Sequence, residues 1–184
     1  NKACYNVLLA EMRSKTGLDL LPSDSILDSS LKIFIHANDK KMLARALICK
    51  GKVWDELMVP QEAMLCFQKA LELTEERDYD LLTEGYACLG EVYLQQNLFN
   101  HALQTHKTIY DLTQNDTNPD NRFTNSRNLS ISFMINGYLD STYICLEQAL
   151  LYAKHVRDSV RCKDLIYNDF AVYFSEIDNN ELAL

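Results

Sequence analysis

The chain has 184 residues and a mass of 21.2 kDa, with 47% apolar residues, a net charge of −8 and a pI near 5.0. Ten Tyr and seven Phe exclude a disordered composition, and five Gly with three Pro are too few for the frequent turns of an all-β chain. No basic stripe speaks for nucleic acid, and no apolar run is long enough for a membrane span.

In chain order, the apolar spacing predicts a degenerate helix hairpin first, over residues 3–15 and 23–37. Leu43, Leu47, Val53, Trp54 and Leu57 then follow helix spacing. Pro60 suits the first turn of the next helix, where its missing N–H costs nothing. That helix carries Leu65, Leu71 and Leu73, with Phe67 between them. Asn97, Gly137 and Asp178 read as turns between the halves of later hairpins. The hairpins fall at about 3–37, 41–77, 80–114 and 121–157, with a truncated one at 159–184. Together they predict a single all-α solenoid domain over 1–184, cut from a longer protein. The chain opens on Asn1 rather than Met, which fits a processed form or an excised piece, and no signal peptide is read.

The spacing that defines the repeat is that of small residues. Gly51 is followed by Ala63 and Ala70, Gly90 by Ala102 and Ile109, Ser130 by Thr142 and Ala149, and Ala171 by Ala183. Two antiparallel helices cross closely only where side chains are small, because interaxial distance is set by the side chains at the contact. Each hairpin then exposes an apolar face until the next one stacks on it.

These residues resemble the tetratricopeptide (TPR) repeat. Leu47, Gly51, Trp54, Ala63, Phe67 and Ala70 fit its consensus, as do Tyr86, Leu89, Gly90, Tyr93, Phe99 and Ala102 in the next unit. The third unit departs at Ser130 and Thr142 and keeps Phe133, Gly137 and Ala149; the fourth offers Tyr167, Ala171, Phe174 and Ala183. The longer period resembles the 40-residue-spaced TPR proteins of Bacteroides-type bacteria. That likeness implies an extracytoplasmic sensor or regulator, with a cytoplasmic one as the alternative.

The resemblance implies an α-α superhelix, right-handed, of about four to five hairpins. It also implies a concave groove lined by the first helix of each hairpin. Carried over in register, the groove positions include Arg45, Lys52, Asp55 and Glu56, then Glu84, Glu91 and Gln95, then Arg127, Ile131 and Met134, and lastly Asn168. The function so implied is a scaffold or sensor that holds a protein or peptide in a bacterial signalling or regulatory protein. The alternative is a small-molecule sensor of a transcriptional regulator or kinase. The set lacks the basic cluster that grips acidic C-termini.

No catalytic motif, metal site or cofactor site is read, and an enzyme is not expected. Asp116, Asn118 and Asp120 alternate like a calcium loop, but Asn121 stands where Gly is needed and Arg127 where Glu is needed. His106 takes the slot of Phe67 and reads as a half-buried packing residue. Cys49 and Cys88 share one repeat position, Cys66 and Cys145 another, and so read as packing residues rather than nucleophiles. The last helix carries apolar residues all round, which predicts that the C-terminal end either self-associates or frays.

Overall fold

The structure, a computed structural model, describes the backbone of residues 2–182 and the side chains of residues 2–178. The described residues form nine α-helices and no strand. They run α1 (Lys2–Lys15), α2 (Asp24–Ala37), α3 (Lys40–Glu56), α4 (Pro60–Leu73), α5 (Tyr79–Gln95), α6 (Phe99–Leu112), α7 (Pro119–Ile135), α8 (Leu139–Ala153) and α9 (Ser159–Leu182). A short 3-10 turn, Leu21–Ser23, leads into α2. The chain forms two compact units, residues 1–97 and 98–184.

Local chemistry sets the helix boundaries. Asp39 caps α3 by accepting the Met42 N–H at 3.1 Å. Pro60 and Pro119 open α4 and α7. The alternating Asp116, Asn118 and Asp120 prepare the start of α7. Asp116 accepts the Asn118 N–H at 2.8 Å, and Asn118 accepts the Asp120 N–H at 3.0 Å. The turns α3–α4, α5–α6 and α7–α8 each place one residue in the left-handed region: Met58 (φ 59), Asn97 (φ 57) and Gly137 (φ 77). Gly and Asn tolerate that conformation, whereas Met58 holds it against its own Cβ. Asp178, read from the sequence as a turn, lies inside α9. No Gly or Pro occurs between 159 and 182 to break that helix. Ala183 lies outside the described residues.

In the first unit, α3 is buried on two sides. Ala46, Cys49 and Val53 join Val7, Ala10, Leu27 and Phe34 in one apolar cluster. Ala44 and Ile48 join Ala63, Phe67, Ala70, Leu89 and Val92 in a second. Lys50, buried on α3, pairs with Asp28 of α2 at 2.7 Å and lies over the Trp54 ring. A close approach between α3 and α4 occurs at Gly51. A Cβ there would fall 2.5 Å from Cε1 and 2.8 Å from Cδ1 of Phe67, which is 1% exposed.

The second unit repeats this scheme with more polar fillings. Ser130 and Thr142 stand at the small positions, buried, and each returns its hydroxyl to its own helix. Ser130 donates to the Arg127 carbonyl at 2.7 Å and Thr142 to the Tyr138 carbonyl at 2.9 Å. A buried hydroxyl satisfied this way substitutes for Gly or Ala at modest cost. His106 of α6 is fully rather than half buried, at 4% exposed, with its Nδ1 2.6 Å from Ser132 Oγ of α7. Burial pushes its pKa down to about 4.

Two outcomes test this packing. Gly→Ala in an ordinary helix interior stabilises by about 1 kcal/mol. Gly51→Ala should instead destabilise by about 1–3 kcal/mol, because the new methyl overlaps Phe67. Urea denaturation measures the sign, and a gain in stability would contradict the crossing described.

His106 stays neutral in the folded protein down to about pH 4, while the unfolded chain takes up a proton near the ordinary 6.5. Between those values the unfolded state binds more protons. Stability therefore falls as pH drops through that window, by on the order of 3 kcal/mol from this residue. His106→Gln keeps a hydrogen-bonding group for Ser132 and does not titrate. It should flatten that slope relative to the parent; parallel pH–stability curves would contradict the burial.

Candidate partner-binding groove

The first helices of the hairpins in the first unit, α1, α3 and α5, lie side by side. Their polar residues meet across the helix–helix seams. Arg45 of α3 forms a two-pronged pair with Glu11 of α1, with Nε 2.6 Å from Oε1. The hydrogen bonds to Glu11 raise the Arg45 pKa, so the guanidinium stays charged. Lys52 reaches Glu84 of α5 at 2.7 Å and Ser14 of α1 at 3.1 Å. Burial works to lower the Lys52 pKa, but its neighbours outweigh that and leave it raised. Asp55 takes a hydrogen bond from Gln95 of α5, yet burial dominates and raises its pKa. Glu56 accepts the Leu20 backbone N–H at 2.9 Å, tying the α1–α2 loop to the end of α3.

Lys52, Asp55, Glu56 and Glu91 are thereby brought together around one cavity of about 630 Å³. The loop residues Leu18 and Asp19 form one side of it, and Cys88 of α5 forms part of the wall. The volume lies within the range of small-molecule and peptide-side-chain pockets. Glu84 and Gln95 stand outside the lining and hold Lys52 and Asp55 in it, whereas Arg45, paired with Glu11, stands outside it.

In the second unit, Arg127 of α7 is spent on Asp169 of α9, with contacts at 2.6 and 3.0 Å. Met134 packs against the apolar cluster built by α7, α8 and α9. Ile131 is half-buried and Asn168 exposed. Among the described residues, none of these four borders the first unit's cavity.

Sequence reasoning missed Glu11, Ser14, Asp19 and Asp169. The first three belong to the degenerate hairpin, where no consensus residue carried the register. Asp169 is next to Asn168, one residue from the position inferred.

The thiols at repeat positions are held as packing groups. Burial pushes Cys49 and Cys88 up to about 12, and Cys66 and Cys145 up to about 11. Cys88 differs from its register mate Cys49 in being half-exposed on the cavity wall. All six cysteines are free.

No family model matches the chain, and no curated protein matches it by sequence. Solved structures do. The chain is similar to a Podosopora anserina protein of nearly identical TPR-like repeats, assigned there to kinesin light chains. The identity is 13% and the TM-score 0.76, over 97% of this chain and 88% of that one. It is similar to YrrB, a TPR protein with an unusual peptide-binding site, at 20% identity and a TM-score of 0.58 over 90% and 76%. It is also similar to MamA of Desulfovibrio magneticus, at 16% and 0.57 over 100% and 97%. The fold is therefore that of the TPR solenoids, and at these identities the likeness is one of fold.

Thiol titration of the folded protein near pH 8 separates the two groups of cysteines, since the thiolate is the reactive form. Cys4 and Cys162, both half-exposed, should react first; Cys49, Cys66 and Cys145 should react only on unfolding, and Cys88, half-exposed but with its thiol pushed up to about 12, slowly. Rapid labelling of those four, or a disulfide between any two, would contradict their packing role.

Proposed function

We propose that this chain is an interaction module that holds an extended peptide or a protein segment against the inner faces of its first helices. The cavity bounded by α3, α5 and the α1–α2 loop is its principal contact. The observation that carries the reading is the convergence there of four groove positions: Lys52, Asp55, Glu56 and Glu91. Folds of this kind are in general interaction scaffolds rather than catalysts. YrrB, of the same fold, has a peptide-binding site. A place in a bacterial signalling or regulatory protein is the role that suits such a module. The cavity volume also favours a second reading, a small-molecule sensor, because about 630 Å³ would hold a metabolite-sized ligand.

Peptides selected from a random display library against the folded chain test the first reading. Their affinity should fall by more than ~10-fold in Leu18→Asp and in Glu91→Lys, both at the cavity. It should survive Ile33→Asp, on an exposed position of α2. Loss in the α2 variant alone would move the site off the groove.

A second contact surface is proposed on α9. Ile166 and Tyr173 are buried against the preceding hairpin, while Tyr167, Val172 and Phe174 stay exposed. Phe174 extends an aromatic cluster with Phe170, Tyr173 and Tyr143. Apolar surface of this kind marks an interface, and a second copy is the simplest occupant. Light scattering should show a concentration-dependent mass that Tyr167→Ser with Phe174→Ser abolishes. A strictly monomeric parent at all concentrations would overturn this.

A further inference from the structure

We propose that the cavity of the first unit receives a lysine or arginine side chain from an extended segment of a partner protein. The inference rests on the reading that this cavity binds a peptide, and it adds the chemistry of what is bound.

The charges around the cavity are unbalanced. Lys52 is already answered by Glu84 at 2.7 Å. Asp19, Asp55, Glu56 and Glu91 all border the cavity, and among the described residues none of them forms an ion pair. Their protein partners are weaker. Asp19 accepts the Leu21 N–H at 2.8 Å, Glu56 accepts the Leu20 N–H, and Asp55 has the Gln95 amide. Glu91 projects from α5 with no cation against it.

This contrasts with the neighbouring seams, where Arg45 and Lys52 each meet a carboxylate. Of the residues lining the cavity, Lys52 is the cation and Glu84 occupies it, while Arg13 of α1 donates to the Asp19 backbone carbonyl at 2.8 Å rather than to a carboxylate. Asp55 is half-buried, and a partially desolvated carboxylate without a counter-charge is costly, so a cation from a partner would offset that cost; Asp19, Glu56 and Glu91 are exposed and add to the attraction. The raised pKa of Asp55 has this origin.

Shape agrees with charge. Leu18 is 53% exposed and borders the same cavity. Lysine and arginine carry an aliphatic stem beneath a charged head, so the stem would lie along Leu18 while the head meets the carboxylates. Among the described residues, no three metal-binding side chains converge closely enough to hold an ion, which sets aside a bare divalent cation as occupant. An acidic peptide or a phosphate group would meet four carboxylates and be repelled.

The probes are capped hexalysine, hexaarginine and hexaglutamine, followed by amide NMR and titration calorimetry on the whole chain. Hexalysine and hexaarginine should move the amides of residues 17–20, 55–56 and 91. Asp55→Asn with Glu91→Gln should weaken both by at least ~10-fold. Glu91→Gln alone, at an exposed side chain, should weaken them in the same direction and serves if the double variant melts early. Asp111→Asn with Asp140→Asn, on exposed positions of α6 and α8, should change nothing.

Shifts spread over the acidic surface at large and insensitive to the double variant would overturn the proposal. Hexaglutamine binding the cavity as well as hexalysine would also overturn it, while leaving the peptide-groove reading intact. Absence of any binding at the cavity would overturn the proposal, with the display-selected peptides then deciding the groove reading separately.

Discussion

Two helices of a hairpin can close on each other only where one of them gives up its side chain. At Gly51 the ring of Phe67 fills the space a Cβ would need, with 2.5 Å between them. That contact sets how closely α3 approaches α4, and so how α3 presents its other faces to α1 and α5. Ala63, Ala70 and Ala149 are all fully buried for the same reason. Ser130 and Thr142 show the constraint is on volume rather than identity. Their hydroxyls fold back onto the helix and leave little more outline than alanine. The cavity follows from this arrangement, because α3 and α5 stand beside each other with the α1–α2 loop drawn in by Glu56.

The polar residues of the first helices divide into two kinds. Arg45, Lys52, Glu84 and Arg127 are committed to neighbours on an adjacent first helix. Half-buried pairs of this kind fix the register between hairpins more than they add stability. Asp19, Asp55, Glu56 and Glu91 are left with backbone or amide partners, or none. A groove that were all self-paired would have little to offer a charged ligand. This one keeps its cations occupied and its carboxylates available.

The repeat was legible because the small residues and aromatic fillers sit at fixed spacing, and spacing survives even when identity does not. The turns at Asn97 and Gly137 were legible for the same reason. Met58 occupies the equivalent left-handed position and gave no sign, because its residue type is unsuited to it. Asp178 misled in the opposite direction: a turn-favouring residue lies inside a helix that nothing interrupts. At the groove, the register positions Lys52, Asp55, Glu56 and Glu91 border a common cavity. The register could not say which of the inferred residues were already paired. That depends on partners such as Glu11 and Asp169, far away in sequence and outside any consensus. His106 was read as half-buried from its slot alone. Its full burial depends on Ser132 of another helix, whose short side chain leaves room for the imidazole.

Hydrogen exchange measured on the chain with and without a saturating display-selected peptide tests the central claim most directly. Amides that open by local fluctuation gain protection where a ligand holds them closed. The account predicts that added protection falls on residues 14–20, on the second half of α3 and on α5 around Cys88–Gln95, with α4 and α8 unchanged. Protection gained instead along α2 and α4, with residues 14–20 and α5 exchanging as before, would contradict it.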